Sequence, residues 1–95
     1  MVVHLIIAGR VQGVGYRQWL RRRAEAAGIA GWARNRLDET VEAVLAGETA
    51  AVEAVIVEAM NGPLGANVER IDRRSAEPGE WGAGVGPAFE IRPTI

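Results

Sequence analysis

The stretch Gly9-Arg10-Val11-Gln12-Gly13-Val14-Gly15-Tyr16-Arg17 holds the residues best suited to chemistry. Glycines at 13 and 15 let the backbone take positive φ, so that successive N–H groups turn into one concavity. A helix opening behind that concavity adds the partial positive charge of its N-terminus, which is the geometry that binds phosphate. Arg17, at the helix start, supplies a planar fork of donors suited to two phosphate oxygens at once. An ordinary nucleotide-binding loop also needs a lysine for its phosphates. All eleven basic residues here are arginine, so this is not such a loop.

The other reactive groups are few. The chain has no cysteine, one histidine (His4) and one serine (Ser75). Covalent phosphoenzyme routes have little to draw on, and neither a nucleophilic triad nor a metal-ligand cluster can be assembled. No cofactor or metal is expected. His4 alternates onto a strand face and reads as a packed or surface residue rather than a general base. Arg21-Arg22-Arg23 reads as a solvated helix face that could steer anions toward the neighbouring cradle.

The elements that must position the cradle can be read along the chain. At 95 residues, nearly half of them apolar, one domain with a two-layer core is expected. Val3 to Gly9 is a β-branched apolar run, predicted as a buried central strand. After the glycine loop, Trp19, Leu20, Ala24 and Ala27 recur at helical spacing, and Gly28 stops that helix. Ile29 to Arg36 is a second strand, with Ala30, Trp32 and Arg34 on one face and Gly31, Ala33 and Asn35 on the other. Leu37-Asp38-Glu39 turns the chain into a third strand, Thr40 to Ala46.

A second helix is predicted over Thr49 to Met60, with Val52, Val55, Ile56 and Ala59 as its apolar stripe and Thr49 as its cap. Asn61-Gly62-Pro63 ends it. Val68 to Arg74 alternates as a strand with a wet face or at an edge. Glu77 to Gly86 reads as a glycine-rich surface loop containing Trp81, and Phe89-Glu90-Ile91 as a short last strand. The order is strand, helix, strand, strand, helix, strand, plus one strand. That is the ferredoxin-like split βαββαβ sandwich of the α+β class, two helices on one face of an antiparallel-rich sheet.

Several classes are disfavoured. No apolar run approaches the roughly 20 residues that span a bilayer, and the first residues lack a signal peptide's basic region and cleavage site. A net charge of −1 does not suit broad nucleic-acid binding. A ferredoxin-like sheet that stacks RNA bases needs aromatics on its central strands, and the first strand has none. The cytoplasm is the default compartment, and a monomer the default state.

Gly9 to Arg17, Gly31-Trp32-Ala33-Arg34-Asn35, Asp38 with Val41-Glu42, Gly62-Pro63 and Phe89-Glu90-Ile91 together, in this order, resemble the acylphosphatase family over essentially the whole chain. The resemblance implies a single domain over 1–95 that hydrolyses acyl phosphates, carboxyl-phosphate mixed anhydrides, to a carboxylate and inorganic phosphate without a metal. It places the catalytic roles on Arg17, which binds the phosphate, and Asn35, which positions the attacking water. The phosphate-binding segment becomes Gln12, Gly13, Val14, Gly15, Tyr16 and Arg17, with Gln12 acting through its backbone while its side chain braces the loop. Inorganic phosphate would be product or inhibitor. Two departures stand out: Tyr16 where phenylalanine is common, and Asp38-Glu39 where Asp-Gly is common.

Other readings remain for single residues. Asn35 precedes a turn, where asparagine is common for backbone reasons alone. Trp19 and Trp32 read as core, and Asp38 and Glu42 as hairpin residues. A phosphate- or carbamoyl-phosphate-binding domain without turnover, like the acylphosphatase-like modules of larger maturation enzymes, would use the same cradle. Asn35 beside Arg17 favours the enzyme.

Overall fold

The computed structural model describes residues 1–77, 79 and 88–95. Apart from Glu77 and Gly79, the expected 77–86 loop with Trp81 lies outside the described residues. Seven elements follow in the order β1 (Val2–Arg10), α1 (Tyr16–Ala26), β2 (Ala30–Asn35), β3 (Val41–Ala46), α2 (Thr49–Asn61), β4 (Asn67–Ser75) and β5 (Phe89–Ile91). The sheet order is β4-β1-β3-β2-β5, antiparallel except where β5 runs parallel to β2. β3 therefore lies between β1 and β2, the two strands that α1 connects, which is the predicted split arrangement.

Alternation along the strands sorts the two sheet faces. Val3, Leu5 and Ile7 of β1, Val41, Ala43 and Leu45 of β3, and Ala33 of β2 join Leu20 and Ala24 of α1 and Val52, Val55, Ile56 and Ala59 of α2 in one buried cluster. Ala27, expected on the α1 stripe, is instead its exposed C-cap, because the chain leaves the helix at Gly28 with φ 73°. The Ile29 amide returns to the Ala24 carbonyl (2.8 Å) and closes that end. The cap expected of Thr49 is not made. Glu48 occupies the N-cap position and no side chain caps α2. β4 forms one edge of the described sheet, exposed through most of its length, as its charge alternation implied.

The face away from the helices carries a polar network that sequence reasoning left as separate residues. Glu42 is 7% exposed, and its two carboxylate oxygens divide their work. Oε1 accepts from Arg34 Nε (2.7 Å) and Arg36 Nη1 (3.2 Å), while Oε2 bonds His4 Nε2 (2.7 Å). Register explains the meeting, since Glu42 pairs with Ile6 on one side and Arg34 on the other. Burial would raise the Glu42 pKa, but the hydrogen bonds from His4 and Arg34 outweigh it and hold the carboxyl below its ordinary value. Trp32 is buried as expected, but on this face, with the Arg34 and Arg92 guanidinium carbons 4.8 and 4.6 Å from its ring centroid.

The β2–β3 turn resolves the Asp38-Glu39 departure. Asp38 Oδ1 accepts from the Thr40 amide (3.1 Å) and hydroxyl (2.6 Å), and Glu39 takes φ 73°, the left-handed conformation for which glycine is the usual residue. Glu39→Gly is expected to raise stability by up to about 1 kcal/mol in urea denaturation, by relieving that conformation.

Glu42→Gln is expected to cost about 2 kcal/mol at neutral pH, because it removes charge-assisted bonds to three partners. A carboxyl depressed in the folded state stabilises above its unfolded pKa and loses that effect as pH falls through the folded value. Urea midpoints measured against pH should therefore show the gap between the variant and the parent chain narrowing below about pH 4.5.

Candidate active site

β1 delivers the chain to the site through an irregularity in its pairing with β4. The register shifts between Ala8 and Gly9, so Ala8 faces Arg70 while Gly9 faces Val68. Gly9 has φ 124°, and a Cβ there would collide with the Asn67 carbonyl and lie 2.7 Å from the Glu69 amide. The strand bends at a residue that only glycine suits and then enters the loop. Gly13 (φ 76°) and Gly15 (φ 75°) take the positive angles that the cradle requires.

Gly15 is also the N-cap of α1, in left-handed conformation and with no side chain to offer. The first amide to bond back within the helix start is that of Trp19, to the Gly15 carbonyl (3.0 Å). The amides of Tyr16, Arg17 and Gln18 precede it and make no bond within the helix. No acidic residue stands in this first turn. A concavity opens here, lined by Val11, Gln12, Gly13, Gly15, Tyr16, Arg17, Gln18 and Asn35, with a volume of about 120 Å³.

Arg17 is half-buried. Tyr16 points the other way, into the core, where its hydroxyl donates to the Ala59 carbonyl at 2.7 Å. Ala59 lies in the last turn of α2, whose carbonyls lack helical partners, so the phenol closes the far helix while anchoring the near one. Burial pushes the Tyr16 phenol above its ordinary pKa and keeps it a donor.

Asn35 reaches the same concavity from the end of β2. Its neighbours Arg34 and Arg36 turn to the opposite face and bond Glu42, so Asn35 is left on the helix-facing side. Its backbone carbonyl accepts from the Ile95 amide (3.1 Å), and the Leu37 amide donates to the Ile95 carbonyl (2.8 Å). The Asn35 side-chain oxygen is buried without a hydrogen-bond partner. An orphaned buried acceptor costs about 1–3 kcal/mol, so its presence beside an open concavity at a helix start points to a partner supplied from outside the chain.

Gln12, Gly13, Gly15, Tyr16, Arg17 and Asn35 thus meet around one concavity. Val14 does not line it. Its side chain packs against the core cluster and lies near Gly65. Val11 and Gln18 do line it, one flanking the expected segment and the other a turn residue of α1 with no motif to mark it. Glu42 was not foreseen as the residue that orients β2, because its partners are separated by up to 38 residues and meet only through the sheet register. Among the described residues, no helix is long and apolar enough to cross a membrane.

The acylphosphatase family model matches residues 3–82. An acylphosphatase of Azorhizobium caulinodans is 48% identical over 93 residues, covering 98% of this chain and 96% of the relative. One from a Synechococcus strain is 50% identical over 93 residues, covering 98% and 94%. Among solved structures, the acylphosphatase of Bacillus subtilis superposes with a TM-score of 0.82 at 29% identity, over 97% of this chain and 99% of that one. With a phosphate-sized concavity at an uncapped helix start and near full-length likeness of both sequence and fold, the chain belongs to the acylphosphatase family of enzymes.

Proposed function

We propose that this chain hydrolyses acyl phosphates by direct attack of water on phosphorus, without a metal or cofactor. Arg17 and the amides of the Gln12–Arg17 segment hold the phosphoryl oxygens and oppose the charge that spreads over them in a loose transition state. Asn35 holds the attacking water in line with phosphorus, opposite the acyl oxygen. The new bond joins the water oxygen to phosphorus. The phosphorus–acyl oxygen bond breaks, and the carboxylate leaves with the electron pair.

A carboxylate is a good leaving group and departs without a strong general acid, which suits a concavity that, among the described residues, is lined by no aspartate, glutamate or histidine. The water's proton passes to a phosphoryl oxygen. His4 and Glu42 bond each other and lie on the opposite sheet face from Asn35. The observation that carries the reading is the buried, unpartnered carboxamide oxygen of Asn35 on the rim of an anion cradle. A water that donates to this oxygen completes its hydrogen bonding and is held beside the phosphate.

The reading makes the chain a cytoplasmic monomer acting on a small-molecule acyl phosphate. Inorganic phosphate is product and competitive inhibitor, and no nucleic acid or membrane takes part.

Benzoyl phosphate hydrolysis by the purified chain, with chelator present, tests the assignment. Arg17→Ala is expected to lose ~3 kcal/mol or more of transition-state stabilisation, a fall in kcat/KM of about 10² or greater, together with weakened inhibition by phosphate. Asn35→Ala is expected to lose a comparable factor in kcat while inhibition by phosphate persists. A variant that keeps most of the rate removes its residue from the mechanism. Saturable protection by phosphate without any hydrolysis would replace the enzyme by a binding domain.

A further inference from the structure

Gln12 lines the concavity, but its side-chain amide serves another place. Its Nε2 donates one proton to the Arg36 carbonyl (2.8 Å) and the other to the Thr40 carbonyl (2.9 Å). These two carbonyls frame the β2–β3 turn, which the Arg36 amide itself closes by donating to Thr40 (2.9 Å). Arg36 follows Asn35 directly. A side chain that merely braced its own loop would bond within that loop. Gln12 instead spends both protons on a turn 24 and 28 residues away.

The strand that carries Asn35 is fixed in the sheet by β3 and β5, and neither pairing reaches the loop. Glu42 holds Arg34 and Arg36 from the far face, and it too acts within the sheet. The phosphate cradle and the Asn35 carboxamide therefore belong to two separately built pieces, the β1–α1 connection and the β2–β3 hairpin. In-line attack requires their relative placement to hold to within a fraction of an ångström.

We infer that Gln12 is a positioning residue, whose two hydrogen bonds to the β2–β3 turn set the Asn35 carboxamide against the Arg17 cradle and thereby align the attacking water. The inference rests on the role given to Asn35 above. It adds a residue that touches neither phosphate nor water with its side chain and acts on the rate through Asn35. Loss of its donors leaves Arg17, the glycine angles and the helix start in place, so phosphate capture is retained while the angle of attack is released.

The test compares Gln12→Met, which keeps volume and removes both donors, with the parent chain and with Asn35→Ala, using benzoyl phosphate as substrate and inorganic phosphate as inhibitor. Gln12→Met is expected to lower kcat by about tenfold or more, since a misplacement of about 1 Å can cost up to about 10². Its inhibition constant for phosphate should stay within about twofold of the parent, the scatter of independent effects. In the Asn35→Ala background the same substitution should cost nothing further, because a positioning residue has no effect without the group it positions.

Gln12→Glu supplies a second reading if Gln12→Met does not fold. An ionised carboxylate has no proton for either carbonyl and a protonated one has a single proton, so its rate relative to the parent should rise as pH falls from about 7 to about 5. Parent-like kcat in a folded Gln12→Met, additive losses in the double variant, parallel loss of phosphate affinity, or a flat relative rate for Gln12→Glu overturns the inference. A parent-like rate for Asn35→Ala alone would instead remove the mechanism on which the inference stands, and that single variant distinguishes the two failures.

Discussion

The structure depends on one group of donors being left unpaired. A helix start is ordinarily closed by a side chain, a contribution of about 1 kcal/mol. At α1 this is forgone. Gly15 offers nothing, the first turn holds no acid, and Tyr16, Arg17 and Gln18 line an open concavity. Such an end would fray if the helix stood alone, so neighbouring parts hold it from behind. Leu20 and Ala24 seat α1 in the core, and the Tyr16 hydroxyl fastens its first residue to the last turn of α2. The concavity at the helix start is thus a local deficit supported by tertiary packing. Tyrosine in place of the commoner phenylalanine adds a hydrogen bond to that support.

Asn35 presents the complementary problem, a short side chain that must stay still at the end of a strand. Its solution is built on both faces of β2. On the far face a single carboxylate gathers the residues before and after Asn35, Arg34 and Arg36. On its own side the Ile95 backbone bonds the strand end. Glu42 can do this while buried because three cationic or donor groups meet it, which offsets the desolvation of its charge. The same network shows why His4, although near a carboxylate, takes no part at the concavity.

Much of this was legible in the residues. Period-2 and period-3.6 patterning gave seven elements in the right order, and the two glycines and Arg17 line one concavity. What stayed hidden were meetings made by register. Glu42 reads as one more hairpin residue until β1 and β2 are laid on either side of it. Gln12 reads as a loop residue until its reach to Arg36 and Thr40 is seen. The end of α1 misled for a local reason, since Ala27 continues the apolar spacing while Gly28 ends the helix one residue earlier. Thr49 misled because capping residues are preferred, not required, and Glu48 took the place. Glu39 shows the reverse, a residue that accepts a left-handed backbone because Asp38 and Thr40 hold the turn around it.

The described sheet ends in two very different borders. β5 spans three residues, while β4 spans nine and sets charges at Glu69, Arg70, Asp72, Arg73 and Arg74. An open border of unpaired amides and carbonyls is a template onto which a strand from another molecule could add, the opening event of fibre growth. Any strand adding to β4 would have to accommodate five closely spaced charges of both signs, and one adding to β5 would find too few bonds to hold it. A chain that is nearly half apolar, with an exposed sheet border, is in this way protected from colloidal failure by where its charges fall and not by how many it carries.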